Sequence, residues 1–186
     1  MKIFNCKVYG LQESIIRSGY PMKPYIGEIW GPIEKQTEVA IKLANSPIGS
    51  GHSNWLKGVV VQMDVEAPQY VWMQIERYQF FTIISSQSKM HKLMQMDTSN
   101  IPTVGSMALD NLGFAKSFYE QGQIPIDELM ANVPMGLELT AGITTNYMCL
   151  KNMYHQRKNH RLKFWTEVFC PWVESLPMAK ELIIDC

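Results

Sequence analysis

Basic side chains crowd one stretch of this sequence. Between Gly142 and Glu167, in GITTNYMCLKNMYHQRKNHRLKFWTE, Lys151, His155, Arg157, Lys158, His160 and Arg161 stand among aromatic residues. Guanidinium, ammonium, amide and imidazole donors this close together suit the oxygens of a phosphate or a carboxylate. The ordinary reading of such a run is a solvated helix end that complements the macrodipole. Asn159 and the histidines are not typical solubilising residues, however, and the run lies between two apolar helical patterns, which favours a polar site for an anion. Cys149, six residues before His155, could be a thiol nucleophile if that imidazole lowered its pKa. A packing role is the plainer reading for it, as for Cys6, Cys170 and Cys186, whose spacings match no zinc pattern.

The elements that must position these groups follow from periodicity and punctuation. A helix starting near Thr144 or Thr145, with a hydroxyl as N-cap, places Tyr147, Leu150, Tyr154 and Arg157 on one face. Residues 1–9 read as a strand closed by Gly10. Pro21, Pro24, Gly27, Trp30, Gly31 and Pro32 mark a connection, and 33–43 an amphipathic helix. The loop 47–55 offers Ser50, His52, Ser53 and Asn54 but lacks the spacing of a phosphate loop. LKGVVVQMDV, residues 56–65, is the best strand pattern in the chain.

Pro68 suits a helix start, and QYVWMQIERYQFF carries Gln74, Arg77, Tyr78 and Phe81 along one side. Residues 82–92 are hydroxyl-rich, with Ser88 near His91, though no Asp is bound to them as a triad. Residues 96–106 read as loop, 114–122 and 125–133 as short helices, and 137–140 as a brief strand or turn. A last helix over 164–176 is interrupted by Pro171 and closed by Pro177.

With 186 residues, 46% hydrophobic, the chain can bury a full core and fits one domain over 1–186. A net charge of zero gives no global attraction to a nucleic-acid polymer or an anionic membrane. The apolar runs are too short to span a bilayer and the first residues lack a signal-peptide core, so a cytoplasmic protein is expected. Thirteen methionines and 11% aromatic residues suit an adaptable interior or a subunit interface.

Two segments together resemble the flavin-dependent thymidylate synthases, the ThyX family. The first is a His52-containing loop, a strand, a helix bearing Gln74 and Arg77, and a hydroxyl-rich turn with Thr82 and Lys89. The second is Asn146, Leu150 and Arg157, which fall on the family's N-x-R-x-L-x-x-F-x-x-x-R helix. Order and spacing agree over roughly residues 40–175. The family signature R-H-R-x-x-S-x-N-E-x-S-x-R-Y is replaced here by RYQFFTIISSQSKM from Arg77 to Met90, in which Arg77 alone is identical. A group of uncharacterised bacteriophage proteins related to that family is more similar, sharing runs that stand here as Ser85–His91, Thr144–Tyr147 and Gln156–Leu162.

The resemblance implies an α/β (α+β) fold with a central, twisted, mainly antiparallel sheet flanked by helices, assembled as a homotetramer. It implies a nucleotide-type ligand held by Gln74, Arg77, Tyr78, Ser88, His91, Asn146, Tyr154, Arg157, Lys158, His160 and Arg161, with His52 on the cofactor side and no metal. Tyr78, Tyr147 or Tyr154 could stack a base. The lost signature implies binding without ordinary thymidylate synthase activity and without a cofactor; in a phage setting the role would be to sequester a nucleotide immune signal of the host. The alternative is a divergent, FAD-dependent methyl or hydroxymethyl transfer to a pyrimidine nucleotide.

Overall fold

The computed structural model describes residues 1–25, 32–47 and 49–185. Gly27, Trp30, Gly31 and Cys186, named above, lie outside the described residues, as does position 48 of the 47–55 loop.

β-Branched residues with alternating burial build the centre. In strand β2 (Val60–Pro68), Val61, Met63, Val65 and Ala67 are buried and the residues between them are not. β2 pairs antiparallel with β1 (Lys2–Tyr9) on one side and with β4 (Glu138–Asn146) on the other. β3 (Thr82–Ser86) pairs antiparallel with β4 and closes the order β1-β2-β4-β3. The helices begin with α1 (Leu11–Ser18) and α2 (Ile33–Ala44). The buried side of the sheet is covered by α3 (Gln69–Ile75), which gives Val71, Trp72 and Ile75. After the four-residue α4 (Lys89–Lys92) come α5 (Ser106–Glu120) and α6 (Ile126–Ala131). The cover is completed by α7 (Tyr147–Arg157), a π-helical turn at Phe164–Phe169, α8 (Cys170–Glu174) and a second π turn at Lys180–Ile184. Trp72 Nε1 donates to Ala67 O at 2.9 Å and Leu139 O at 3.2 Å, which fastens α3 to the sheet. A second, smaller apolar cluster joins Leu93, Ile101, Leu112, Ala115, Leu129, Val133 and Leu137 beneath α5 and α6. The fold is thus the expected mixture of helices and antiparallel sheet.

Several boundaries differ from the sequence reading. Leu56–Gly58 belong to a 3-10 segment over His52–Gly58, not to β2, and Gly51 enters it at φ 77°. α3 stops at Ile75 because the chain turns through Tyr78 N–H to Ile75 O and Phe81 N–H to Tyr78 O, which brings Phe81 into the core. The hydroxyl-rich turn is the edge strand β3, and the brief strand at 137–140 runs on to Asn146. Thr144 and Thr145 remain in that ladder, Thr144 facing both Gln62 and Thr82. The N-cap of α7 is therefore Asn146, whose Oδ1 accepts the Cys149 N–H at 3.0 Å. α5 also starts earlier than expected, at Ser106.

Gly10 holds the 3-10 segment against α1. It sits at φ 71°, and a β-carbon there would lie 2.8 Å from Gly58 O. Gly10→Ala should therefore cost about 1–3 kcal/mol of left-handed strain plus displacement of the 52–58 backbone. Chemical denaturation should show that loss; an unchanged midpoint would mean that the two backbones are not locked together.

Candidate functional site

Where α3 ends, α7 ends and the π turn begins, three elements meet around one guanidinium. Arg157 Nε donates to Tyr78 Oη at 2.7 Å and Arg157 Nη1 to Gln74 Oε1 at 3.1 Å. The same Gln74 oxygen accepts from Trp165 Nε1 at 3.0 Å, and Tyr78 Oη donates to Gln156 Oε1 at 3.0 Å. The guanidinium carbon lies 4.5 Å from the Trp165 ring centroid and 5.5 Å from that of Tyr78, within cation–π range. Arg157 and Gln74 come together as the sequence suggested, but their recorded bonds are to each other and to their neighbours. These bonds use two of the five N–H donors of Arg157.

The network braces one wall of a cleft of about 520 Å³, within the range of small-molecule sites. One wall is the 49–57 loop, with Ser53, Asn54 and Lys57. The second is the turn after α3, with Arg77, Tyr78, Gln79 and Phe80. The third is α7, with Asn146, Met148, Cys149, Lys151, Asn152 and Gln156; Ser46 and two glycines complete the lining. Met148, Asn152 and Gln156 recur every four residues and so share a face of α7. The N-terminal end of that helix, with its partial positive charge, opens on the cleft. Lys57, Arg77 and Lys151 line it, and among the described residues no carboxylate does. Lys151 is 9% exposed, and its Nζ donates to Ala44 O at the end of α2. The lining is cationic, rich in amides and part aromatic, which suits an anion carrying a ring.

The other expected site residues lie elsewhere. His52 is exposed in the 3-10 segment and does not line the cleft. Ser88 and His91 sit on α4, Ser88 Oγ 2.9 Å from His91 Nδ1 and capping that helix. Tyr154 and Tyr147 are core residues, which corrects their reading as stacking platforms. Tyr154 Oη donates to Glu174 Oε1 at 2.8 Å, and burial followed by Glu174 pushes its pKa up to about 12. Tyr147 Oη donates to Pro177 O at 2.7 Å, and burial raises its pKa as well. Lys158 and Arg161 are exposed beyond the end of α7. His160 Nδ1 accepts the Leu162 N–H at 3.1 Å. Burial, then the charges of Arg157 and Arg161, hold its pKa below the usual imidazole value. It is a neutral ring at physiological pH.

Burial raises the Cys149 thiol, against smaller opposing bonds from Thr145 and the Phe80 backbone. The protonated form prevails and nucleophilic chemistry is disfavoured. Among the described residues no His, Cys, Asp or Glu cluster could hold a metal. Lys57, Asn152, Gln156 and Phe80 line the cleft without having been singled out in the sequence, and Lys151, counted there in the basic stretch, was not placed in the ligand set. The signal that could have found the α7 members is the four-residue spacing of Met148, Asn152 and Gln156, opposite the apolar stripe.

A four-stranded antiparallel sheet backed by helices is a fold this chain shares with solved flavin-dependent thymidylate synthases. Two crystal structures of ThyX from Helicobacter pylori, each complexed with FAD and dUMP, match with TM-scores of 0.78. The matches cover 100% of this chain and 99% of those chains, at 15% and 16% sequence identity. No protein-family model matches the sequence, and no curated protein does.

Replacing Arg157 by Met keeps an unbranched apolar stem and removes two charged hydrogen bonds and a stacked cation. The loss should be about 2–4 kcal/mol, read as a fall in the denaturation midpoint. Loss of half a kcal/mol or less would show that the network contributes little to holding Tyr78.

Proposed function

We propose that this protein binds a nucleotide-type ligand in the cleft between the 49–57 loop, the turn after α3 and the exposed face of α7. The observation that carries this reading is the lining itself. Among the described residues Lys57, Arg77 and Lys151 face no carboxylate there, beside the rings of Tyr78 and Phe80 and the amides of Asn54, Gln79, Asn146, Asn152 and Gln156. Phosphate oxygens meet the cations, a base meets the rings, and the amides meet ribose and base edges. Of the expected ligand set, Arg77, Tyr78 and Asn146 belong to this lining; Gln74 and Arg157 act behind it, holding Tyr78 and Gln156 in place. Lys158 and Arg161 lie beyond the end of α7 and add their charge to the field near the cleft, while His160 beside them is neutral; Ser88, His91 and His52 have no part in this version of the site.

In its finer form the proposal is that the protein sequesters a nucleotide signal and does not turn it over. The departure of Arg77–Met90 from the ThyX signature supports this, and a phage-encoded protein acting on a host immune nucleotide in the cytoplasm is the setting the sequence likeness suggests. Among the described residues no helix is long and apolar enough to cross a membrane.

A second reading, flavin-dependent methyl or hydroxymethyl transfer to a pyrimidine nucleotide, is favoured by the FAD and dUMP in the ThyX complexes. The donor set fits it too: Lys57, Arg77 and Lys151 could hold the pyrophosphate of FAD. The flavin would supply the redox chemistry.

The visible spectrum of the purified protein, with mass spectrometry of whatever it releases on denaturation, separates the two. A colourless protein that releases a nucleotide, or binds one in a calorimetric panel of mononucleotides, cyclic nucleotides and ADP-ribose derivatives, is expected. Arg77→Ala should weaken such binding by roughly tenfold or more. Flavin bands would transfer the assignment to the enzyme, and a panel without a binder would overturn the nucleotide reading.

We also infer self-association, as a tetramer, through the β3 edge. All five residues of β3 are exposed, Ile84 to 60%, and Met73, Phe80 and Met90 are more than half exposed nearby in the sequence. An unpaired edge carrying two exposed isoleucines invites a partner. Light scattering should give the mass of four chains and a smaller species for Ile84→Asp; a monomer at tens of micromolar would refute the assembly.

A further inference from the structure

Lys151 is the one cleft cation taken out of water, with nine-tenths of its surface covered. An ammonium has three N–H donors, and its recorded partner is a single neutral acceptor, Ala44 O. No carboxylate of the described residues lies within ion-pair distance of it. Burying a charge in this way is costly unless a counter-charge is supplied. The carbonyl end of α2 offers only the partial negative charge of a helix terminus. Lys57 and Arg77, by contrast, are exposed at the rim and solvated.

On the reading of the cleft as a nucleotide site, we propose that Lys151 is the specificity-determining anchor for the ligand's phosphate. The anion completes an ion pair that the fold leaves half-made. The inner end of the cleft, between the end of α2 and the first turns of α7, takes a phosphoryl group, and the ring lies outward against Tyr78 and Phe80. The site then selects phosphorylated over unphosphorylated nucleosides through one buried charge, with the rim cations adding a salt-screened contribution.

The alternative is that Lys151 serves only to cap α2. The two roles differ in sign for the ligand-free protein. Removing a buried ammonium that lacks a counter-ion relieves a desolvation cost, whereas removing a needed cap destabilises.

The test compares the full-length wild type with Lys151→Met and Lys151→Arg, by calorimetry and thermal melting, with UMP, uridine and inorganic phosphate as probes. Wild type should bind UMP more tightly than uridine and gain melting temperature from phosphate. In Lys151→Met the advantage of UMP over uridine should shrink by roughly 10- to 100-fold and the phosphate shift should vanish, with uridine binding unchanged and the ligand-free melting temperature equal to or above that of wild type. Lys151→Arg should retain much of the UMP preference.

If Lys151→Met binds UMP as wild type does, or melts well below it without ligand, the anchor is refuted and Lys151 is a structural cap; the nucleotide reading survives. If wild type binds none of the three probes, the anchor assignment falls with them. The broader reading then stands or falls on the wider ligand panel and on what denaturation releases.

Discussion

The unbroken ladder between β2 and β4 is the constraint from which the rest of the molecule follows. Its register runs from Val60 opposite Asn146 to Pro68 opposite Glu138 without a slip. Each strand passes directly into a helix where its pairing ends: α3 begins at Gln69 and α7 at Tyr147. The two helices therefore leave from opposite ends of the same pair and cover the same face. The end of α3 and the end of α7 can meet only because the ladder sets their origins. Arg157 closes that meeting with bonds to Gln74 and Tyr78. The cleft lies between the start of α7 and the turn after α3, so its width is a consequence of strand register.

Much of this was legible in the sequence. The alternation of Val61, Met63 and Val65 marked the central strand, Pro68 marked a helix start, and the Tyr147, Leu150, Tyr154 stripe marked the seated face of α7. What was not legible depended on competition between neighbours distant in the chain. Thr144 and Thr145 carry good capping side chains, yet two flanking strands offer them ladder bonds, and Asn146 takes the cap. Thr82–Ser86 is short and polar enough to pass for a turn until β4 is placed beside it.

The placement of each basic residue was hidden for a related reason. A dense basic run draws attention to charge number, while burial decides what each charge can do. Arg157 turns its Nε and Nη1 donors to Tyr78 and Gln74 inside the fold, His160 is neutral, and Lys158 and Arg161 are solvated. Lys151, alone among apolar residues on α7, is the cation the fold withdraws from water. Which basic residue lies under α2 and which at the rim depends on how α2 and α7 cross, information that resides in tertiary packing.

The strand order β1-β2-β4-β3 sets the tempo of folding. β2 and β3 are near neighbours in the chain, yet the strand that separates them in the sheet is made after both. No early hairpin can form between them without being undone. The loop-closure entropy of the α5 and α6 segment must be met before β4 can dock. Until then β2 lacks one flank, and β3, with Ile83 and Ile84 uncovered, has no partner. The centre of the native sheet is therefore completed non-locally, by a closure that must span the α5 and α6 segment.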